Sequence, residues 1–224
     1  MVNLGLWQLR RLDEKRTFNT AVRAVAEAPI VAYDPTGTQP AYQRVRVTGQ
    51  YLDREFTVVN VSQGGSGGRD QVAVLALDDG TLLIVNRGFS AGLAPLPGIP
   101  DGRVEVMGRV RESMPPRRGQ TADDGTQQLT QIRRVDLDVL ALQFDEPVQP
   151  VFVDALAENG SAIDGLVPIA FPALDEGSHL SYAVQWFLFT GFVVLGWVLA
   201  VRRSGQAGDS TRRRKRALIP EQYL

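Results

Sequence analysis

The residue with the clearest chemical potential is His179, the only histidine among 224 residues. It directly precedes an uncharged apolar run, residues 180–201, so its imidazole is expected at one face of a membrane. Neutral imidazole is a common ligand for metals and for haem iron. Histidine also suits a membrane interface, where its apolar ring body and polar edge both find partners. The residues therefore leave two interpretations open, a metal or haem ligand and an interfacial anchor.

A second candidate is Arg87, in the run Asn-Arg-Gly-Phe at residues 86–89. It follows a strand with a buried character, and a glycine comes directly after it. An arginine in this position makes a structural ion pair or caps a turn, or it binds an acidic group of a partner or ligand. The residues alone leave both interpretations open.

Several reaction types have no support in the sequence. The chain contains no cysteine, which removes thiolate metal sites and cysteine nucleophiles. The glycine-rich segment 64–68 lacks the Gly-Lys-Ser/Thr ending of a phosphate loop and precedes a strand, so it predicts a mobile hairpin loop. Carboxylate pairs at 123–124 and 145–146 lie in loop-like sequence and predict solvated turns. A Ser-His-Asp site needs its histidine in a water-accessible cleft, whereas the only histidine is expected at the membrane face. Because no credible catalytic set remains, we expect that the protein is not an enzyme.

The membrane orientation is predicted by the charges. Residues 180–201 are 22 uncharged residues, and as a helix they extend about 33 Å, enough to cross a bilayer. The net charge is +2 for residues 1–19, −8 for 20–178 and +5 for 179–224. Short basic flanks stay cytoplasmic, so we expect the C-terminus inside and residues 20–178 outside. The basic cluster at 212–216 then lies against anionic lipid, and no nucleic acid is expected as a partner.

Two periodicities precede the span. Apolar residues predict one helical stripe that ends before Pro29: Leu4, Leu6, Trp7, Leu9, Leu12, Phe18, Val22 and Val25. From residue 43 the pattern becomes strand-like, and Asp-Asp-Gly at 78–80 predicts a hairpin turn. Predicted strands include residues 56–61, 72–77, 82–86, 104–110, 129–135 and 148–153.

These elements predict a membrane-anchored, mainly β (α+β) protein. We expect an antiparallel, barrel-like β domain outside the cytoplasm, with an N-terminal helix and a C-terminal transmembrane helix. The predicted boundaries are 1–28 for the N-terminal helix, 29–178 for the β-rich domain, 179–202 for the transmembrane helix and 203–224 for the basic cytoplasmic tail.

Separated motifs give the chain a family resemblance. Leu-Gly-Leu-Trp-Gln at residues 4–8, with Arg11 and Lys15, is similar to an N-terminal Leu-Gly-x-Trp-Gln box with spaced basic residues. Arg-Val-Thr-Gly at 46–49 and Val-Asn-Arg-Gly-Phe at 85–89 are similar to two strands of the same family. His-Leu-Ser-Tyr at 179–182, with Trp186, is similar to the start of its last helix. Together they resemble the Surfeit locus protein 1 family of cytochrome c oxidase assembly factors, from residue 4 to about 200.

The resemblance implies two transmembrane helices around an extracytoplasmic β domain in the bacterial plasma membrane. It also implies a role in building the haem–copper centre of oxidase subunit I, with transient binding of haem a and contact with other factors that deliver it. His179 corresponds to the histidine assigned to haem a, and iron is the only metal it would contact. The implied cofactor-binding residues are His179, Tyr182, Trp186, Arg11 and Arg87, and the implied partner-binding residues are Gly5, Trp7, Gln8 and Asn86.

Two expectations qualify this resemblance. The first span of the family precedes the Leu-Gly-x-Trp-Gln box, whereas only three residues precede it here, so we expect residues 1–28 to contain the end of a truncated first span. The alternative function is a permanent structural subunit of the respiratory oxidase complex, with no cofactor of its own.

Overall fold

A computed structural model of the protein describes residues 1–217, and it describes side chains for residues 1–204. The chain forms two compact units, a helical unit of residues 1–19 and 174 onward and a sheet unit of residues 20–173. The basic cluster at 212–216 and the rest of the predicted tail beyond residue 204 therefore lie outside the described side chains. The elements are α1 (Val2–Glu27), β1 (Val31–Ala32), β2 (Arg44–Gln63), β3 (Ser66–Ala76), β4 (Leu82–Ala91), β5 (Arg103–Glu112), β6 (Gln131–Ile132), α2 (Leu137–Ala141), β7 (Val148–Glu158) and α3 (His179–Ala217).

The sheet unit is built on a mixed sheet rather than a purely antiparallel one. Strands β2–β3, β3–β4, β2–β5 and β5–β7 pair antiparallel. The β4–β7 pair is parallel, and the short strands β1 and β6 each pair parallel with β2. Because β5 pairs with both β7 and β2, the hydrogen-bonded path through the five long strands returns to β2. The prediction of a β-rich domain is confirmed, and its antiparallel order is only partly right.

Alternation along the strands places apolar residues on both faces of the sheet. One cluster includes Val45, Val47, Leu75, Val85 and Val153. A second lies on the opposite face of β3 and β4 and is covered by residues around β6 and α2, including Phe56, Val74, Ile84, Ile132 and Leu140. Strands β3 and β4 are thus buried on both faces, which explains why their sequences read as continuous apolar runs.

Two local predictions in this unit need correction. The predicted strand 129–135 is reduced to the two residues of β6, because only these continue the pairing with β2. The glycine-rich loop is also shorter than predicted, since Gly67 and Gly68 already belong to β3 and pair with β2. The hairpin at 78–80 is confirmed, with Gly80 at φ +82° and β3 paired with β4.

The helical unit combines the first part of α1 with α3. The buried residues of α1 in this unit are Gly5, Leu12 and Asn19, which recur every seven residues. Leu4, Leu6, Trp7, Leu9 and Phe18 are instead exposed, so Leu12 is the one residue of the predicted apolar stripe that is buried in this unit. Gly5 and Asn19, which hydropathy does not mark as apolar, are buried through a contact with Phe187 and a hydrogen bond to Asp175.

Helix α3 is the one element among the described residues that is long and apolar enough to cross a membrane, over His179–Ser204. Its large apolar side chains, among them Leu188, Phe192 and Trp197, are exposed in the isolated chain. Exposed apolar side chains along such a length fit a membrane anchor, since lipid would cover them.

Candidate functional site

The site begins with a hydrogen bond inside the helical unit, between two residues that are 171 positions apart in the sequence. Nδ1 of His179, the first residue of α3, lies 2.7 Å from Oε1 of Gln8 on α1. A carbonyl oxygen only accepts hydrogen bonds, so the imidazole donates from Nδ1. In the neutral ring, Nε2 then carries the free lone pair, and an unprotonated ring nitrogen of this kind can coordinate a metal ion.

The segment that precedes His179 is fixed to α1. The guanidinium of Arg16 donates to both carboxylate oxygens of Glu176, at 2.9 and 2.7 Å. The amide of Asn19 donates to the backbone oxygen of Asp175 at 3.1 Å. The Asp175 carboxylate in turn accepts from the backbone N–H of Gly177 at 3.0 Å. These bonds hold the turn that leads into α3, and with it the starting position of the imidazole.

Further along α3, the ring of Phe187 packs against Gly5 of α1. A Cβ added to Gly5 would lie 2.8 Å from Cζ of Phe187, closer than side-chain carbons pack. A larger residue at this position would therefore displace the ring of Phe187. The structure gives Gly5, which the resemblance assigned to partner binding, a packing role within the helical unit.

The aromatic candidates of the site are accessible. Tyr182 and Trp7 are each about half exposed, with relative exposures of 49% and 51%. Trp186 is partly buried and makes an edge contact with the ring of Phe189, with centroids 6.1 Å apart. Arg11 is exposed on α1 and pairs with Glu14 at 2.8 Å. Its guanidinium is therefore available at the surface, held only by a solvent-exposed ion pair.

Arg87 has a different setting, in the interior of the sheet unit. Its guanidinium donates to both carboxylate oxygens of Glu158 at 2.8 and 2.9 Å, and also to Gln71 and to the backbone oxygen of Gly98. The hydroxyl of Tyr51 donates to the same carboxylate at 2.7 Å. Burial acts to lower the pKa of Arg87, but its bonds to Glu158 outweigh burial and raise the pKa. The structural interpretation of Arg87 is the one this geometry supports, because a propionate would have to displace a buried carboxylate.

Asn86 is also internal, in a second polar cluster. Its amide donates to Asp70 at 3.3 Å, and its side-chain oxygen accepts from the backbone N–H of Gly88. Burial raises the pKa of Asp70 to about 6, and the nearby carboxylate of Asp154 acts in the same direction. Asp154 is itself buried and bonded to Arg111. Asn86 is 4% exposed and supports this cluster, so it offers no surface to a partner.

Sequence reasoning named Gln8 and His179 but did not pair them, and it missed the groups that surround Arg87. Glu158 follows Arg87 by 71 residues, and the two histidine-site residues are 171 apart. No local pattern connects residues at such separations. Of the residues of α1 that are buried in the helical unit, the apolar periodicity of the sequence had marked Leu12 and had not marked Gly5 or Asn19.

A β-rich unit, together with a helix long and apolar enough to cross a membrane, fits the class of membrane-anchored proteins. A family model described as the SURF1 family matches residues 1–191, which is most of the chain. The chain belongs to the SURF1 family.

Individual relatives are distant but span most of the chain. It is 24% identical to a SURF1-like protein of Rickettsia felis over 195 residues, 84% of this chain and 85% of the relative. It is 25% identical to an uncharacterised SURF1-like protein of Mycobacterium tuberculosis over 202 residues, 83% of this chain and 72% of the relative. A SURF1-like protein of Rickettsia bellii is 24% identical over 222 residues, 96% of this chain and 91% of the relative.

Proposed function

We propose that this protein is an assembly factor for haem–copper cytochrome c oxidase that handles haem a as cargo for subunit I, and that it is not an enzyme. Family membership supports the assembly role. The observation that carries the haem proposal is the Gln8–His179 hydrogen bond, because it leaves Nε2 of the only histidine with its lone pair.

The residues around the histidine fit a haem group. His179 is partly exposed, so its ring can be reached without unfolding the helical unit. Tyr182 and Trp186 follow at i+3 and i+7 and share its helix face. Aromatic rings on that face suit the flat apolar surface of a porphyrin or of an oxidase helix, and Arg11 on α1 supplies an exposed cation for a propionate.

The proposed location is the bacterial plasma membrane, with the sheet unit outside and the C-terminus in the cytoplasm. The charge partition supports this orientation, since residues 179–224 carry +5 and residues 20–178 carry −8. The proposed partners are oxidase subunits, mainly subunit I, together with membrane lipids and other factors that deliver haem a. A reporter fused after residue 224 that is active only outside the cytoplasm should be silent, and strong activity would reverse the orientation.

The central experiment replaces the imidazole. Full-length protein with His179→Ala, purified in detergent from cells that make haem a, should lose the haem absorption of the wild type, and the oxidase of those cells should contain less haem. Alanine is a good helix residue, so membrane content should be unchanged. Trp186→Ala is the control that removes aromatic packing and no iron ligand.

Two results would overturn the proposal. Normal haem content and oxidase activity with His179→Ala would make the histidine an interfacial anchor and favour the structural-subunit alternative. A defect confined to Trp186→Ala would assign the helix to docking on the oxidase.

A further inference from the structure

The position and tautomer of the His179 ring depend on Gln8, a residue 171 positions earlier in the sequence. We infer that Gln8 is a positioning residue, which holds the ring through Nδ1 and directs Nε2 outward as the coordinating atom. The 2.7 Å distance between Oε1 of Gln8 and Nδ1 of His179 is that of a strong hydrogen bond. The role of Nε2 toward iron rests on the proposed function, whereas the tautomer is a property of this protein alone.

The coordinating edge of the ring is kept open by Gly177. A Cβ at this position would lie 3.4 Å from Cδ2 and 3.6 Å from Nε2 of His179. Gly177 also has φ +65°, a backbone conformation that most side chains disfavour. The turn before α3 therefore favours glycine at residue 177, and with glycine there no Cβ of this residue lies against the Nε2 edge.

The two acids of the turn that precedes His179 are bonded to residues of α1 and of the turn itself. Glu176, the nearest carboxylate before the histidine in sequence, is bonded through both oxygens to Arg16. Asp175 uses its backbone oxygen for Asn19 and a carboxylate oxygen for Gly177. Both acids thus help to hold the turn, and the imidazole donates its hydrogen bond to the side-chain oxygen of Gln8.

An amide acceptor has a physical advantage at this position. Histidines that bind metals commonly donate from their second nitrogen to a carboxylate or carbonyl, which fixes the ring. A carboxylate on α1 would add a negative charge beside the start of an apolar helix, where charges are costly to desolvate. The neutral amide orients the ring without that charge.

The tautomer can be measured on the protein without haem. Because the chain has a single histidine, the imidazole signal is unambiguous. Full-length protein in detergent micelles, labelled with ¹⁵N in histidine, gives one imidazole in long-range ¹H–¹⁵N spectra. We expect the wild type to carry its proton on Nδ1. Gln8→Met, which keeps length and helix propensity, should move the proton largely to Nε2, and Gln8→Glu should restore the Nδ1–H form.

The matched control is Gln185→Met, which replaces an exposed glutamine six residues after His179 on α3. This substitution should leave the imidazole spectrum unchanged. A wild type with its proton on Nε2, or a Gln8→Met variant that keeps the Nδ1–H form, would overturn the inference. Since Gln8→Glu retains an acceptor, it distinguishes a lost hydrogen bond from a folding defect.

Haem titration separates this inference from the proposed function. Loss of an outer hydrogen-bond partner typically weakens metal binding 10- to 100-fold, so Gln8→Met should weaken haem binding by about that factor and Gln8→Glu should recover it. If the tautomer changes as expected but the wild type binds no haem, Gln8 is a positioning residue and the haem proposal fails. If haem binds and Gln8→Met changes neither the tautomer nor the affinity, the haem proposal stands and the inference fails.

Discussion

Arg87 on β4 and Glu158 at the end of β7 form a two-bond ion pair inside the sheet unit, with N–O distances of 2.8 and 2.9 Å. Both side chains are almost fully buried, at 2% and 9% exposure. Their charges are compensated by each other and by neutral donors and acceptors, including Tyr51 and Gln71. The Asn-Arg-Gly-Phe motif therefore contributes to the interior of the sheet unit.

Removal of the arginine should leave a buried, unpaired carboxylate. We expect Arg87→Met to lower the free energy of unfolding by about 3–5 kcal/mol, the usual cost of breaking a buried pair from one side. Urea unfolding of the full chain, followed by near-ultraviolet circular dichroism, measures this cost. The double variant Arg87→Met/Glu158→Met should recover part of it, because no charge remains buried.

An exposed ion pair on α1 provides the control for the buried Arg87–Glu158 pair. Arg11 and Glu14 form an ion pair of similar length on the surface of α1, so Arg11→Met should leave stability unchanged. Equal losses for Arg11→Met and Arg87→Met would contradict the difference in burial that the structure shows.

Asp70 should make stability depend on pH. Its pKa in the folded protein is about 6, raised by burial from the ordinary value of 3.8. Between these values the folded state binds more protons than the unfolded state, so this group lowers stability as pH rises through that range. Asp70→Asn removes the effect and keeps an acceptor for Asn86. The stability of the variant relative to wild type should rise between pH 5 and pH 7, by about 1 kcal/mol.

Thermal unfolding of both proteins over this pH range measures the difference. A constant difference between Asp70→Asn and wild type would show that Asp70 does not titrate there. Asp154 shares the direction of shift, because burial raises its pKa against the opposing effect of Arg111. Its contribution is present in both proteins and largely cancels in the comparison.

Gly5 should control the distance between α1 and α3. Gly5→Val places branched carbons where Phe187 lies, so the helices must separate or the ring must move. Spin labels on cysteines introduced at Asp13 and Ser178 report the distance, and the cysteine-free chain leaves these as the only labelled sites. We expect a longer or broader distance distribution with Gly5→Val, and recovery when Phe187→Ala is added.

Gly191 provides the control for this prediction, because a Cβ there would meet no atom within 4 Å. Gly191→Val should leave the distance distribution of the wild type intact. An unaltered distribution with Gly5→Val would show that the Gly5 contact does not set the helix spacing.

Gly88 on β4 should be required for the segment after β7 to pair with β4 at Phe89. It has φ +139°, and a Cβ would lie 2.8 Å from the backbone oxygen of Val167. Phe89 and Val167 bond each other through both backbone groups at this point. Gly88→Ala should cost about 1–3 kcal/mol and speed hydrogen exchange at the amides of Phe89 and Val167. Gly67→Ala, at an open strand position, is the control that should leave exchange unchanged.

Local signals explain why some elements were predictable. The hairpin at 78–80 depends on Asp-Gly, which accepts the left-handed conformation that the turn needs, and the neighbouring residues are sufficient to specify it. The potential membrane helix depends on length and lack of charge, which are also properties of one continuous segment.

Other elements depend on distant partners and were predicted less well. The segment 129–135 has strand composition, but only Gln131 and Ile132 pair with β2. The parallel β4–β7 pair joins segments separated by β5, β6 and α2, so no hairpin signal marks it. On the first part of α1, hydropathy pointed to Leu6, Trp7 and Leu9, which are exposed, as well as to Leu12, which is buried. It did not point to Gly5 or Asn19, whose burial depends on contacts with Phe187 and Asp175.

The sequence by itself determined the chemical inventory: one histidine, no cysteine, one long uncharged run and motifs that resemble a single family. Only the tertiary structure decided how those residues are used. It placed Arg87 against Glu158 and Gln8 against His179, at separations of 71 and 171 residues. The physical reason is that helix, turn and span preferences act over a few neighbouring residues, whereas hydrogen bonds and ion pairs depend on which strands and helices the whole chain brings together.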